Sequence, residues 1–436
     1  MDRPLRSHQL PRHSGRVPAS KISGRGRSGA RRLRRQRQDA GIPRGRRDLG
    51  ARLRVEGFPS DGLRHRSIAL PGSAAPRSRR FAWRCALTRA GGDCVPDTFR
   101  VALTRDILDS RGEPAFGSAA LSILERAPNL AWEYLPQVVR EIDADHAAAY
   151  DAIYVNIARV PAAAVARHDC RLRVIARHGV GYDTVDVPAM TRAGVLVTNT
   201  PTSMPRPVAT VTLTFILALA GKLFLKDKLT RSGRWHERMD NMGLGLTGRT
   251  LGVIGAGRIG QEIMRMARTF DLKLLAADPV VNALELAYLG ARKVELATLL
   301  GESDFVVVCC LLNERTRHLM GAREFAQMKP SAYFINVARG PIVDEPALIE
   351  ALRARRIAGA ALDVFEQEPV DPANPLLAMD NVIVTPHSLC WTDECFHNMA
   401  STGLASIVDA LNGRKPEFVV NPEVLTHPRV NAWLKS

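Results

Sequence analysis

From residue 99 onward, short apolar runs alternate with longer stretches in which apolar residues recur at helical spacing. A first block, ending near residue 203, predicts strands at 99–103, 153–155, 172–176 and 195–198 and a helix at 118–127. A second block, beginning at Thr250, predicts six strands at 251–254, 273–277, 305–310, 332–337, 359–363 and 382–385, with helices at 258–270, 322–328, 346–355 and 394–411. Alternating strands and helices favour parallel sheets covered by helices, so each block is predicted to be a doubly wound α/β domain.

A long helix is predicted between the two blocks, at 207–229. Pro207 suits the first turn of a helix, and residues 211–220 are apolar almost all round. A helix without a polar face is buried, often between domains or subunits, so we expect a homodimer through the second block and this helix. The apolar run is shorter than the roughly 18 residues that a membrane-spanning helix needs, and no membrane span is expected.

Positive charge is concentrated at the N-terminus. Residues 1–95 contain 24 of the 61 Lys and Arg residues and 6 of the 44 Asp and Glu residues, a net charge of +18. The rest of the chain holds 37 basic and 38 acidic residues and is nearly neutral. Residues 1–95 are rich in Arg, Gly, Pro, Ser and Ala and show no apolar period, which predicts disorder. Nucleic-acid binding is therefore not expected of the folded part.

Three interpretations of residues 1–95 stay open: a tail for nucleic acid or another anionic surface, a transit peptide, and GC-rich DNA translated from a start codon placed too early. The last fits best, because Val95 precedes the first predicted strand and would be a GTG-type start. No secretory signal is visible, and the seven cysteines fit no zinc-binding spacing. We expect reduced thiols, no metal site and a cytoplasmic protein.

A G-x-G-x-x-G pattern, Gly255, Gly257 and Gly260, lies where a predicted strand meets a helix. Such glycines permit a tight turn, close approach of the backbone to a pyrophosphate and packing of the helix on the sheet. The pattern alone is weak, but Asp278 ends the next predicted strand about 20 residues on, where a carboxylate binds ribose hydroxyls and repels a 2′-phosphate. Residues 279–282 contain no arginine for that phosphate, so the sequence predicts NAD rather than NADP.

Three polar side chains, Arg339, Glu368 and His387, follow consecutive predicted strands of the second block. Ligands bind where the carboxyl ends of parallel strands meet, so we expect these side chains to lie together. Hydride transfer to a 2-oxo acid needs an acid/base and a cation for the carboxylate beside the nicotinamide. Taken without further motifs, Arg339 is better explained as a surface cation, and Glu366 and Glu368 as solvated loop acids.

Five motifs together make residues 98–424 resemble the D-isomer-specific 2-hydroxyacid dehydrogenases. In family order they are Arg177-His178-Gly179-Val180-Gly181-Tyr182-Asp183, the glycine loop, residues 336–340, residues 363–369 and Thr385-Pro386-His387. The resemblance implies an NAD-dependent oxidoreductase that transfers a hydride between nicotinamide and a small 2-oxo or D-2-hydroxy acid. It also implies a Rossmann NAD-binding domain, residues 204–388, inserted in a flavodoxin-like substrate domain, residues 98–203 plus 389–424.

The same resemblance assigns roles to individual residues. His387 is implied to be the acid/base, Glu368 to fix its tautomer, and Arg339 to orient the substrate carboxylate. The N–H groups of Val180 and Gly181 are implied to hold that carboxylate from the substrate domain. The implied cofactor contacts are Gly255, Gly257, Arg258, Ile259, Gly260, Asp278, Val337, Ala338 and Asp363.

The residues after the histidine, Ser388-Leu389-Cys390-Trp391, replace the small residues usual in the family, and we hypothesise that they line the nicotinamide or substrate pocket. Glyoxylate, hydroxypyruvate and phosphoglycerate-type acids are the plausible substrates. Two other functions stay open. Formate dehydrogenases share the architecture but pair the histidine with glutamine, so Glu368 argues against them. An NAD(H)-sensing binding protein on this fold could retain all three of these residues.

Overall fold

The computed structural model describes residues 98–434. The predictions for residues 1–95, including the start at Val95 and the thiols of Cys85 and Cys94, lie outside the described residues. Within that range the chain forms two parallel sheets flanked by helices. The predicted fold class, two doubly wound α/β domains, is confirmed.

The first sheet contains five parallel strands in the order β2-β1-β3-β4-β5, the flavodoxin-like order. Its strands are β1 Phe99–Leu103, β2 Leu130–Tyr134, β3 Ala152–Val155, β4 Val174–Arg177 and β5 Leu196–Thr198. Strand β2 has no counterpart among the predicted strands. It lies at the edge with its side chains only partly covered, and Leu-Ala-Trp-Glu-Tyr lacks the continuous apolar run of a central parallel strand.

The second sheet contains seven parallel strands in the order β12-β11-β10-β9-β6-β7-β8. Its strands are β6 Thr250–Ile254, β7 Lys273–Ala277, β8 Ala291–Lys293, β9 Phe305–Val308, β10 Tyr333–Asn336, β11 Gly359–Leu362 and β12 Val382–Val384. Counted from β6, this is the order of a dinucleotide-binding sheet with one added edge strand. The prediction of six strands is wrong by one, because the three-residue edge strand β8 carries a polar sequence.

Twelve helices are assigned within residues 98–434 besides short 3-10 turns. They are α1 Ser122–Glu125, α2 Ala144–Ala149, α3 Val187–Arg192, α4 Pro205–Gly221, α5 Leu223–Arg231, α6 Arg258–Ala267, α7 Ala283–Tyr288, α8 Leu296–Glu302, α9 Ala322–Gln327, α10 Glu345–Arg353, α11 Asp393–Leu411 and α12 Pro428–Asn431. The single helix predicted at 207–229 is wrong, because Lys222 adopts a left-handed φ of 50° that ends α4, and the chain bends by 54° into α5. No single helix of the described range is long and apolar enough to cross a membrane, although α4 and α5 pass that test as a bent pair.

The chain returns to the first sheet after β12. Helix α11 buries Phe396, Leu404 and Ile407 in the same apolar core as β1 and β4, and Val430 of α12 joins that core. The side chain of Asn421 extends the contact: its Oδ1 accepts from the Val197 N–H at 2.9 Å, and its Nδ2 donates to the Val195 carbonyl at 3.0 Å. The first sheet is thus completed by residues from both ends of the described chain.

Candidate active site

The glycine loop follows β6 and leads directly into α6. Gly255 has a φ of 94°, and a Cβ there would lie 2.6 Å from backbone atoms that follow β9, so only glycine fits. A Cβ on Gly257, by contrast, would meet no atom within 4 Å. This open space lies before the N-terminus of α6, whose first residues, Arg258 and Ile259, have N–H groups without intrahelical acceptors. The loop therefore fits the pyrophosphate of NAD.

Gly260 lies one turn into α6, where the helix crosses close to the loop. A Cβ there would lie 2.2 Å from the carbonyl oxygen of Gly255. Glycine at this position therefore lets the helix pack against the turn that precedes it, as dinucleotide-binding loops require.

Asp278 lies directly after β7 and faces the glycine loop. Its Oδ2 accepts a hydrogen bond from the Ala256 N–H at 2.7 Å, and its Oδ1 accepts from the N–H groups of Val280 and Val281 at 2.8 and 2.9 Å. Partial burial raises the pKa of this carboxyl, but the backbone donors outweigh burial and hold the pKa below its ordinary value. A charged carboxylate is thus fixed beside the loop, where a ribose would lie.

Replacing Asp278 by alanine is expected to weaken discrimination against NADP. The ratio of kcat/KM for NADH over NADPH should fall at least about 5-fold, because a like-charge contact costs on the order of 1 kcal/mol even in water. Steady-state kinetics with both cofactors measure this ratio. An unchanged preference for NADH would contradict the ribose-binding role.

His387 and Glu368 come together where β12 and β11 end. Nδ1 of His387 lies 2.7 Å from Oε2 of Glu368, and the Phe365 N–H donates to Oε1 of the same carboxylate at 3.0 Å. The ring is thereby held through Nδ1. Nε2 makes no hydrogen bond within residues 98–434, so it is the nitrogen left for a substrate.

Glu368 is ionised at neutral pH in this environment. Partial burial raises its pKa, but the hydrogen bond and charge of His387, the Phe365 N–H and the charge of Arg339 together lower the pKa below its ordinary value. An ionised Glu368 accepts a hydrogen bond from Nδ1–H of His387, which leaves Nε2 as the ring nitrogen open to a ligand.

Arg339 follows β10 and reaches across to the first sheet. Its Nε donates to Oδ1 of Asp183 at 3.1 Å, and its Nη1 donates to the Ala338 carbonyl at 2.8 Å. A Cβ on Gly181 would lie 1.7 Å from Nη2, so the guanidinium lies directly against this glycine. Burial raises the pKa of Asp183, but the adjacent Arg339 outweighs it, and the pKa is lowered.

Gly181 lies beside this guanidinium, and the N–H groups of Val180 and Gly181 have no acceptor among the described residues. The Val180 carbonyl is held by Nδ2 of Asn199 at 2.9 Å, which fixes the loop. A carboxylate between the two sheets would therefore meet donors on both sides. A role for Asp183 is not apparent from the sequence, although this residue lies two positions after Gly181, because its contact with Arg339 joins separate parts of the chain.

Two of the residues expected near the nicotinamide come at the end of one strand. Val337 and Ala338 directly follow β10. Val337 and Ile259 join a small apolar cluster with Leu389 and Cys390, two of the residues that depart from the family pattern. Trp391 instead packs its ring against Phe396, at 5.0 Å between centroids. The hypothesis that residues 388–391 line the pocket stays a prediction, supported for Leu389 and Cys390 by this packing.

Two further histidines lie apart from the acid/base pair. His178 is buried and hydrogen-bonded to the Tyr154 hydroxyl, and burial lowers the pKa of His178 to about 3, so its ring is neutral. His318 Nε2 lies 2.6 Å from Oε1 of Glu366. Glu366 therefore contacts His318, and Glu368 is the carboxylate that contacts His387, the candidate acid/base.

Known proteins are similar in sequence to most of this chain. A family model described as "D-isomer specific 2-hydroxyacid dehydrogenase, NAD binding domain" matches residues 213–388. A glyoxylate reductase from Thermococcus onnurineus is 36% identical over 300 residues, covering 67% of this chain and 90% of the relative. A glyoxylate reductase from Aeropyrum pernix is 34% identical over 334 residues, covering 75% and 97%.

Solved structures show the same similarity. The TT0316 protein from Thermus thermophilus superimposes with a TM-score of 0.65 at 30% identity, covering 74% of this chain and 100% of its own. A glyoxylate reductase from Paecilomyes thermophila gives a TM-score of 0.65 at 27% identity, covering 75% and 99%. The likeness thus extends over almost the full length of these proteins.

Proposed function

Because this chain belongs to the D-isomer-specific 2-hydroxyacid dehydrogenase family, we propose that it reduces small 2-oxo acids, chiefly glyoxylate and hydroxypyruvate, with His387 as the acid/base. The chain is an NAD-dependent D-2-hydroxyacid dehydrogenase. Relatives named glyoxylate reductase and glyoxylate/hydroxypyruvate reductase support this choice of substrate.

The observation that carries the proposal is the 2.7 Å contact between His387 and Glu368, at the edge of the sheet where Arg339 also lies. NADH, held by the glycine loop and Asp278, would supply the hydride for the carbonyl carbon. His387 donates the proton on Nε2 to the carbonyl oxygen, which receives the electron pair of the former double bond. In the oxidative direction the neutral ring takes that proton back.

Arg339 and the first sheet hold the substrate for this step. The planar guanidinium presents paired donors that match a carboxylate, and Gly181, whose N–H has no acceptor among the described residues, lies against it. Asp183 keeps the guanidinium in place through its contact with Nε. Holding the carboxylate from both sides would keep the carbonyl within reach of His387, which lowers the entropic part of the barrier.

Steady-state oxidation of NADH by the purified protein, with a panel of 2-oxo acids, tests the substrate. The panel contains glyoxylate, hydroxypyruvate, pyruvate and 3-phosphohydroxypyruvate. We expect the highest kcat/KM with glyoxylate or hydroxypyruvate. Tight binding of NADH without turnover of any acid would instead indicate an NAD(H)-sensing protein.

We also propose that the protein is a homodimer assembled through the region of α4 and α5. Six large apolar side chains of this region are between 43 and 69% exposed: Leu217, Leu223, Phe224, Trp235, Met239 and Met242. Exposed apolar surface of this extent marks an interaction site, and a second copy of the chain would cover it. Sedimentation analysis should give twice the 47.8 kDa mass of one chain. The mass of a single chain would contradict the dimer.

A further inference from the structure

Asp363 lies where β11 ends, beside the turn formed by residues 385–389, and is only 5% exposed. Its Oδ1 accepts three hydrogen bonds, from the Thr385 hydroxyl at 2.6 Å and from the N–H groups of Ser388 and Leu389 at 3.1 and 3.2 Å. A buried carboxylate needs such donors to offset the loss of hydration. The three contacts tie both ends of the turn to one fixed point on the neighbouring strand.

His387 lies in the middle of this turn, in the left-handed region with a φ of 52°. A non-glycine residue is uncommon there, and the conformation persists only where the surroundings over-determine it. The His387 N–H also donates to the Thr385 carbonyl at 3.0 Å. The backbone on either side of His387 therefore decides where its ring points.

We propose that Thr385 is a positioning residue for the acid/base group. Its hydroxyl, through Oδ1 of Asp363, holds the turn so that the ring of His387 meets Glu368 and faces the substrate. The inference rests on the proposed role of His387. It also gives Asp363 a task beyond the nicotinamide contact implied by the family resemblance, because Oδ1 already accepts three donors.

The Thr385 hydroxyl is the donor that a substitution can remove, since the other two donors to Oδ1 are backbone N–H groups. It is also the shortest of the three contacts. Valine has the shape of threonine without the hydroxyl, whereas serine keeps the hydroxyl and loses a methyl group. The pair Thr385→Val and Thr385→Ser therefore separates the hydrogen bond from packing.

Thr385→Val is expected to lower kcat for the preferred 2-oxo acid by about 10- to 100-fold, since a small misplacement of a catalytic group has effects of this size. The KM of the acid and the dissociation constant of NADH from fluorescence titration should stay near their wild-type values, while the thermal unfolding temperature should fall modestly, because one hydrogen bond to a buried carboxylate is lost. Thr385→Ser should retain most of kcat. Wild-type kcat in Thr385→Val, or equal losses in both variants, would overturn the inference.

A second readout does not depend on turnover. In protein labelled with ¹⁵N-histidine, the hydrogen-bonded Nδ1 proton of His387 gives a resonance that His387→Asn removes and so identifies. We expect that resonance in Thr385→Ser and its loss in Thr385→Val, and its persistence in Thr385→Val would overturn the positioning role. If His387→Ala is active, the proposed acid/base role of His387 is wrong. The Nδ1 proton resonance would still show whether Thr385 orients the ring of His387.

Discussion

Replacing His387 by alanine is expected to lower kcat by roughly 10²- to 10⁴-fold, the usual contribution of general acid–base catalysis. The proton for the carbonyl oxygen must then come from water. NADH should still bind, because the glycine loop and Asp278 follow other strands. Steady-state kinetics and fluorescence titration with NADH measure the two effects. Near-normal turnover would rule out His387 as the acid/base.

His318 offers a matched control in the same chain. It also has a left-handed φ of 52°, pairs with a glutamate at 2.6 Å, and has a side chain 44% exposed against 42% for His387. His318→Ala removes a comparable histidine–glutamate contact that does not involve Glu368. This variant should therefore keep a kcat near that of the wild type. Equal losses in the two variants would mean that a broken ion pair, rather than lost proton transfer, explains the first result.

Replacing Arg339 by alanine is expected to lower kcat/KM for the 2-oxo acid by about 10²- to 10⁴-fold, because two hydrogen bonds to a charged group are lost, at about 1.5–3 kcal/mol each. Arg339→Lys keeps the charge without the planar pair of donors and should recover only part of this loss. The dissociation constant of NADH should change little in either variant. Unchanged kcat/KM in Arg339→Ala would contradict the substrate-binding role.

Gly181→Ala disturbs the same guanidinium from the opposite sheet. The added Cβ would lie 1.7 Å from Nη2 and 2.8 Å from Cζ of Arg339. The end of a long side chain can move aside, so we expect the protein to fold, with a raised KM for the acid. In the double variant with Arg339→Ala the two effects should be less than additive, since both act through one contact. Full additivity would show that Gly181 acts independently of Arg339.

The apolar pattern predicts the central strands of both sheets because a parallel strand covered on both faces is apolar throughout. The two strands without a predicted counterpart, β2 and β8, are edge strands whose residues are partly exposed. The interruption of the helix at Lys222 is not apparent from the sequence for a different reason. A helical pattern continues on both sides of it, and the preference of one residue is weak against tertiary packing.

At the site, position in the sequence predicts the residues that follow strands, because the carboxyl ends of parallel strands share one edge. Arg339, Glu368 and His387 lie together for this reason. The contacts of Arg339 with Asp183 and of Asp363 with Thr385 depend on how the sheets face each other and on the conformation of one turn. No local sequence pattern encodes these two contacts. The choice of Glu368 over Glu366 likewise rests on the family motif alone, until the structure shows that Glu368 contacts His387 and Glu366 contacts His318.

Transfer of deuterium from [4,4-²H₂]NADH to the substrate tests the central claim most directly. With glyoxylate as acceptor, mass spectrometry should show glycolate that carries a single deuterium at C2, formed by wild-type protein and strongly reduced in His387→Ala. Glycolate without deuterium, or no glycolate from protein that binds NADH, would contradict hydride transfer to a small 2-oxo acid at this site.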